Sequence, residues 1–308
     1  MTAGVAGAQD APLPCSAIRQ SLEDAWWTGP MLANSAATLP RGHFLIEPYL
    51  YDIAGAHSNG FGSRTYVLYG LAERLTVGFI PIAGFNSLSD APSSSGVEMG
   101  DLTLLAQYGL TQFHEGSWVP ATAIEVQQSF PTAKYDGLDR PSDGFGSGAY
   151  TTMLAFNSQK YFWLPNRRIL RMRFNVSEAF SSKVSLEDVS VYGTADGFRG
   201  DARPGRSFFA DAAWEYSLTR NWVLALDVTY GHSGNTRVTG FNILDPNSMQ
   251  NPSSILLNSG TSDAFGFAPA IEYNWKPNLG VLLGTRVIPD GHNTPVTITP
   301  AIAINFVH

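Results

Sequence analysis

The sequence has few charged residues, a single cysteine and no long apolar run. Charged residues make up 15% of the 308 positions, whereas a soluble domain usually has about a quarter. No apolar stretch approaches the roughly 18 residues that a membrane-spanning helix needs, so a helical membrane protein is excluded. Cys15 has no second cysteine for an internal disulfide and gives no information on the redox compartment.

The charge balance and the scattered histidines exclude further classes of partner. The formal net charge is −7, and binding of nucleic acid needs a basic surface, so we expect no nucleic-acid partner. The six histidines have no metal-ligand spacing, and no glycine-rich phosphate loop precedes a helix. We therefore predict neither a metal nor a cofactor.

What the sequence does contain is a regular alternation of apolar and polar residues over long stretches. Between positions 222 and 230, Trp, Leu, Leu, Val and Tyr fill the even positions, while the odd positions include Ala, Asp and Thr. Residues 208–218 repeat this pattern. Such alternation gives a strand one apolar and one polar face. Long strands of this kind are typical of a transmembrane β-barrel, in which only every second residue faces lipid.

Twelve such strands can be assigned, and the connections between them alternate in length. We place the strands at 42–52, 61–72, 75–86, 98–110, 118–130, 148–157, 168–179, 206–218, 221–231, 262–275, 279–287 and 295–307. Turns such as Glu73-Arg74 and Thr219-Arg220 alternate with long loops such as 180–205. Two features fit less well, since the turn at 158–167 is long and the first and last outer loops are short. The arrangement predicts an all-β, antiparallel outer-membrane barrel of about twelve strands, with both termini on the periplasmic side.

Aromatic residues gather near the two ends of the predicted strands. Those beside the short turns are Tyr69, Tyr108, Trp118, Trp163, Tyr216, Trp222, Tyr273 and Trp275. Those near the long loops are Tyr51, Phe85, Phe130, Phe180, Phe208 and Tyr230. Two such sets predict the aromatic girdles that mark the two membrane interfaces of a barrel. On the same parity we expect Leu102, Leu104, Leu224, Leu226, Ile302 and Ile304 to face lipid.

The polar faces of the strands carry charges that need a place inside the barrel. They are Glu47, Arg64, Asp101, Glu125, Arg171, Arg173, Asp211, Glu215, Asp227, Glu272 and Arg286. On the lipid face, an Arg or Lys at the membrane midplane costs about 2–4 kcal/mol, so we expect this set to face the lumen. It forms either a structural network of ion pairs or a polar path and binding site for a solute. The two arginines at 171 and 173 share a face and need acidic partners, for which Glu125, Asp211 and Glu215 are the candidates.

Residues 1–41 form a separate N-terminal segment before the barrel, which spans 42–308. Residues 21–32 favour a short helix, with Ser21 as its N-cap. Trp26 and Trp27 would be exposed in a free tail, so we expect the segment to act as a hydrophobic tether or as a plug at the barrel mouth. Ala6-Gly7-Ala8 has the form of a signal-peptide cleavage site, and the segment is either a signal-peptide remnant or an ordinary tail.

Hydrolase chemistry finds little support in the sequence. Gly231-His232-Ser233-Gly234 suggests a nucleophile motif, but such an elbow needs glycine two residues after the serine, and position 235 is Asn. No strand carries a histidine and a serine two residues apart on its lipid-facing parity. We predict no catalytic residue and no enzyme, while a lipid-modifying barrel enzyme stays open as an alternative.

Several short motifs, in this order along the chain, resemble one family of outer-membrane transporters. The motifs are residues 38–44 leading into Glu47-Pro48-Tyr49, then Gly100-Asp101-Leu102, Phe130-Pro131-Thr132-Ala133, residues 268–273 and Gly291-His292-Asn293. Over residues 35–308 the sequence is similar to the transporters named for the meta-pathway of phenol degradation. The resemblance implies a Gram-negative outer-membrane barrel that passes apolar or aromatic compounds. It implies no catalytic residues.

The sequence as a whole predicts a porin-like channel or transporter of the outer membrane. Its solutes would be small molecules, hydrophobic or aromatic, that diffuse passively through the barrel. A structural or adhesive barrel whose long loops bind other molecules is the second alternative. The expected partners are outer-membrane lipid, the solute and the barrel assembly machinery, which reads a C-terminal aromatic residue. Because Phe306 is followed by Val307 and His308, we expect that last recognition to be weaker.

Overall fold

Twelve long strands form one closed antiparallel sheet in this computed structural model, which describes residues 19–243 and 254–308. Each strand pairs with the next along the chain, and the last pairs with the first, with Leu50 opposite Ile302. The strands are β1 (Phe44–Ala54), β2 (Ser58–Ala72), β3 (Leu75–Ile80 and Ile82–Leu88), β4 (Leu102–Thr111), β5 (Ala121–Phe130), β6 (Thr151–Trp163), β7 (Ile169–Ser181), β8 (Ser207–Ser217), β9 (Trp222–Ser233), β10 (Ser262–Lys276), β11 (Leu279–Ile288) and β12 (Thr297–Val307). The predicted twelve-stranded antiparallel barrel is confirmed.

The turns that join even-numbered strands to the next strand lie at one end of the barrel, and the long loops lie at the other end, where residues 55–57 form one short connection between β1 and β2. Short turns join β2 to β3, β4 to β5, β6 to β7, β8 to β9 and β10 to β11. The predicted long turn at 158–167 is wrong, because β6 continues to Trp163, which pairs with Ile169. Only residues 164–168 remain in that turn. Since the strand number is even, the start of β1 and the end of β12 both lie at the short-turn end.

The two faces of each strand differ sharply in exposure. On β9, Leu224 and Leu226 are 44% and 39% exposed, whereas the side chains of Val223 and Asp227 are fully buried. The four other residues expected to face lipid, Leu102, Leu104, Ile302 and Ile304, are also exposed. The apolar face is therefore on the outside of the barrel, as lipid requires, and the polar face is inside.

Outward aromatic rings contact one another at both ends of the barrel. At the turn end, the ring of Tyr273 lies 4.6 Å from that of Trp222 and 5.4 Å from that of Trp275. At the loop end, Tyr230 lies 6.4 Å from Phe208 and 5.1 Å from Phe265. These contacts match members of both girdles expected from the sequence. Trp163 is an exception, because it lies on the inward parity of β6 and its indole nitrogen donates to the Gln20 carbonyl at 2.8 Å.

Tyr51 does not belong to a girdle and lines the lumen instead. Its ring occupies the space over Gly62 on β2, and it shares an interior cluster with Met31 and Ala301. The reason is parity, because Tyr51 lies four residues after Glu47 and two after Tyr49 on the inner face of β1.

The N-terminal segment contains much less helix than expected. A single 3₁₀ turn, Leu22–Asp24, follows the predicted N-cap Ser21, whose side chain accepts a hydrogen bond from the Asp24 backbone. The short helix predicted within residues 21–32 is thus reduced to this one turn. Gly29, with a φ of 131°, and Pro30 stop helical continuation, and the chain runs on without regular structure. Ala6-Gly7-Ala8 and Cys15 lie outside the described residues.

The long loops carry a small sheet of their own. Its strands are Val184–Glu187, Phe198–Arg203, Arg237–Asn242 and Ser254–Asn258. They enclose a core that includes Leu186, Phe198 and Val238. The loop between β5 and β6 joins it, since the Tyr192 hydroxyl donates to the Ser147 carbonyl at 2.5 Å. Among the described residues, no helix is long and apolar enough to cross a membrane.

The outward position of Leu226 predicts a large cost for a charge at that site. Leu226→Arg places a guanidinium in lipid and should lower the free energy of unfolding by about 2–4 kcal/mol if the site is near the midplane. Ser177→Arg is the matched control, because Ser177 faces an interior cavity. Urea unfolding in lipid vesicles measures both values, and equal losses would contradict the assigned orientation of the strands.

Candidate functional site

The N-terminal segment enters the lumen and leaves it at the same end. Before it enters, the Gln20 amide donates to the Arg167 carbonyl at 3.2 Å, and the Trp26 amide donates to the Arg220 carbonyl at 3.0 Å. Both carbonyls belong to short turns. After it returns, the Gly42 amide donates to the Gly70 carbonyl, close to the turn between β2 and β3, at 2.8 Å. We call residues 27–39, between these two points, the plug.

The carboxylate of Asp227 on β9 holds the innermost part of the plug. It accepts backbone hydrogen bonds from Met31 at 3.0 Å, Leu32 at 3.3 Å and Ala33 at 3.0 Å. Asp227 itself is fully buried. Hydrogen bonds to an ionised acceptor are stronger than neutral ones, and here they also satisfy three amides that form no sheet. Asp227 therefore fixes the plug across the middle of the lumen.

A second carboxylate, Glu272 on β10, holds the limb by which the plug enters. It accepts from the amides of Thr28 at 2.7 Å and Gly29 at 3.1 Å. The plug passes close to the wall here, since a Cβ on Gly280 of β11 would lie 2.1 Å from the Thr28 hydroxyl oxygen. Glycine at 280 is therefore needed for this approach.

Amides and hydroxyls bind the returning limb of the plug. The Asn34 side chain lies 3.3 Å from both carboxylate oxygens of Glu125 on β5, and the side chain of Asn175 donates to the Asn34 carbonyl at 3.1 Å. Further along, the amide of Leu39 donates to the hydroxyl of Thr76 at 2.8 Å. The plug is thus bound to both sides of the barrel.

The two neighbouring arginines of β7 share one acidic partner. Arg171 forms a bidentate pair with Glu215 of β8, and the Arg173 Nε lies 3.1 Å from the same carboxylate. Arg173 also donates from Nη1 to the Ala33 carbonyl at 2.8 Å, and Arg171 lies 4.5 Å from the centre of the Trp27 ring. The cluster therefore joins the wall to the plug. Asp211 and Glu125, the other candidate partners, do not contact these arginines.

The remaining predicted lumen residues have different positions. Glu47 accepts from the Asn305 side chain at 2.9 Å. Asp101 lies at the loop end, where it accepts from the Ala133 and Ser147 amides at 3.1 Å and 2.7 Å. Asp211 is 1% exposed, and neither carboxylate oxygen has a hydrogen-bond partner among the described residues.

Among the described residues, the lumen has a cavity on each side of the innermost part of the plug. The loop-side cavity has a volume of about 440 Å³ and is lined by Arg64 and Arg286. The turn-side cavity has a volume of about 280 Å³ and is lined by the plug backbone and by several lumen charges. Four residues line both cavities, namely Met31, Leu32, Tyr49 and Tyr66. The cavities therefore approach each other at an apolar and aromatic constriction.

Sequence reasoning missed the residues of this constriction. Tyr49 and Tyr66 were not assigned to the lumen, although both lie on the parity of Glu47 and Arg64. That parity could have identified them. No sequence pattern indicates which backbone amides of the plug bind the lumen carboxylates, because every residue except proline has a backbone amide donor.

Comparison with known proteins identifies the family of this chain. Residues 29–297 match the family described as "Putative MetA-pathway of phenol degradation". The chain belongs to this family. Its closed barrel has the fold of bacterial outer-membrane channels, as expected from the motifs in its sequence. The sequence matches no curated protein.

One solved bacterial outer-membrane channel shares this fold, and two further channels are more distantly similar. The COG4313 outer membrane channel from Pseudomonas putida F1 is 15% identical with a TM-score of 0.65, and the match covers 90% of this chain and 100% of that one. A TodX monoaromatic hydrocarbon channel mutant has 12% identity and a TM-score of 0.39, covering 87% and 90% of the two chains. The Ralstonia pickettii toluene transporter TbuX has 12% identity and a TM-score of 0.34, covering 92% and 95%.

Glu215 is the acidic partner of both Arg171 and Arg173, so we predict that its charge is essential for stability. Glu215→Gln leaves two buried guanidinium groups without a counter-charge and should lower the free energy of unfolding by about 3–5 kcal/mol. Glu178→Gln is the control, because Glu178 lies on the exposed side of neighbouring β7, 3.9 Å from Arg206, where such a pair contributes about 0–1 kcal/mol. Urea unfolding measures both, and a loss below 1 kcal/mol in Glu215→Gln would contradict this account.

Proposed function

We propose that the protein is a passive channel for small solutes in the Gram-negative outer membrane. The observation that carries the proposal is the pair of cavities that meet at one constriction. Each cavity lies towards one end of the barrel, and the two share Met31, Leu32, Tyr49 and Tyr66 in their walls. The long loops would face the cell exterior, and the short turns and both termini would face the periplasm.

The chemistry of the constriction favours apolar or aromatic solutes. Met31 and Leu32 supply aliphatic surface, and Tyr49 and Tyr66 supply two rings whose centres are 6.1 Å apart. An aromatic ring can pack edge to face against tyrosine, so aromatic and apolar solutes gain more from this contact than small ions do. The association of the family with phenol degradation agrees with this choice.

The plug sets the width of the path. Its innermost residues are held mainly by hydrogen bonds to Asp227 and Arg173 rather than by strand pairing. Weakening these bonds should let the segment move without breaking the wall. We propose that passage of a solute depends on small displacements of residues 31–33.

The sheet formed by the long loops favours a second candidate, a barrel that binds other molecules through its loops. In that case the lumen would stay closed with or without the plug contacts. The lipid-modifying enzyme has less support, since the cross-strand neighbours of His232 are Phe208 and Asp263, and neither is a serine.

Conductance across planar lipid bilayers separates the channel from the loop-binding barrel. Asp227→Asn removes the charge that holds three plug amides while preserving size, so we expect the single-channel conductance in potassium chloride to increase several-fold. Glu47→Gln is the matched control, because it also removes a lumen charge, but its partner is Asn305 and not the plug.

A channel controlled by the plug requires a larger change in Asp227→Asn than in Glu47→Gln. Equal conductance in all three proteins would show that the plug does not set the path. Absence of any conductance, in the wild type and in both variants, would favour the loop-binding barrel.

A further inference from the structure

The loop-side cavity contains two arginines that lie outside the ion pairs of the described residues. Arg64 of β2 and Arg286 of β11 both line it. Among the described residues neither forms an ion pair, and the Nε of each is buried without a hydrogen-bond partner. A buried guanidinium normally has its donors satisfied, as Arg171 does with Glu215. The Nε–H groups of both arginines are therefore available to donate hydrogen bonds to a bound anion.

Nearby carboxylates do not supply that anion. Asp227 is occupied by plug amides, and Glu47 lies in the other cavity with Asn305 as its partner. The charges of Asp211 and Asp227 act on Arg286 across the interior. The charges of Glu125 and Arg64 likewise act on each other. None of these three carboxylates lines the cavity. The cross-strand neighbours of Arg64 are Tyr49 and Ile82, which carry no charge at neutral pH. The charged side chains that line the cavity are therefore both cationic.

Aromatic rings form much of the rest of the cavity wall. Tyr49, Tyr51, Tyr66 and Phe209 line it, together with Met31 and Leu32 from the plug. The Arg64 guanidinium lies 5.6 Å from the centre of the Tyr66 ring, and that of Arg286 lies 5.8 Å from the centre of Phe209. A guanidinium beside a ring keeps its N–H edge available for a bidentate contact with a carboxylate. A volume of about 440 Å³ lies within the range of small-molecule sites.

We infer that the loop-side cavity binds aromatic carboxylates. The ring packs among the tyrosines and Phe209, and the carboxylate is held by Arg64 or Arg286. This inference rests on the proposed channel function and specifies the class of solute that the channel takes from its loop side. The aromatic surface selects against small carboxylates such as acetate, and the arginines select against neutral rings.

Binding to the full-length protein in detergent micelles tests this inference by isothermal titration calorimetry. The probes are sodium benzoate, benzyl alcohol, which has the ring without the charge, and sodium acetate, which has the charge without the ring. We expect wild type to bind benzoate at least tenfold more tightly than either of the others. Acetate or benzyl alcohol binding as tightly as benzoate would overturn the inference without the use of any variant.

Variants then locate the site. Arg64→Gln or Arg286→Gln, or the two together, should weaken benzoate binding at least tenfold and leave benzyl alcohol binding unchanged. Arg206→Gln is the matched control, because Arg206 is 74% exposed at the rim and lies outside the cavity. Heat-dependent migration on gels checks that each variant is folded. Wild-type benzoate affinity in the folded double variant would overturn the inference.

The conductance of the same samples in potassium chloride separates this inference from the proposed function. Conductance without benzoate binding would overturn the inference alone and leave the channel intact. Benzoate binding without conductance in any variant would support the site and overturn the channel.

Discussion

The structure depends on one constraint, which is that peptide groups placed at membrane depth need hydrogen-bond partners. Strand pairing meets this need for the wall, because a closed sheet has no free edge. The plug has no such pairing, and the buried carboxylates of Asp227 and Glu272 supply acceptors in its place. Those acids would be costly inside an empty apolar barrel, and the plug amides would be equally costly alone. The carboxylates and the plug amides satisfy each other's hydrogen bonds, so neither the lumen charges nor the irregular segment would be stable in the lumen without the other.

The wall of the barrel could be predicted from the sequence because its signal is local. A period of two, read on Leu224 and Leu226 against Val223 and Asp227, fixes which face of β9 meets lipid. Strand number and connection lengths follow from the same pattern, and family membership agrees with it. The predictions for the wall were wrong in two places. Tyr51 was placed in a girdle by its nearness to a loop, although its parity puts it in the lumen. Residues 158–163 were placed in a turn, although β6 continues through them to Trp163.

The interior could be predicted only in part, because its contacts depend on pairs of residues far apart in the chain. The inward set of charges was evident, but only the fold shows that Glu215 faces both Arg171 and Arg173 while Asp211 contacts neither. The same limit explains why the predicted helix is reduced to one turn. The residues from 25 to 28 are compatible with a helix. The carboxylates that bind the backbone amides of the extended plug, Asp227 and Glu272, lie on the distant strands β9 and β10.

The placement of the plug has a consequence for the order of assembly. Its residues are made before any strand, yet the amide of Met31 bonds to a carboxylate 196 positions later. Its other partners, such as Thr76 and Glu125, lie on the opposite part of the wall. The segment can reach all of them only when the strands around it are in place. The hydrogen bonds between the plug and the wall are therefore among the last to form, although the plug precedes every strand in the chain.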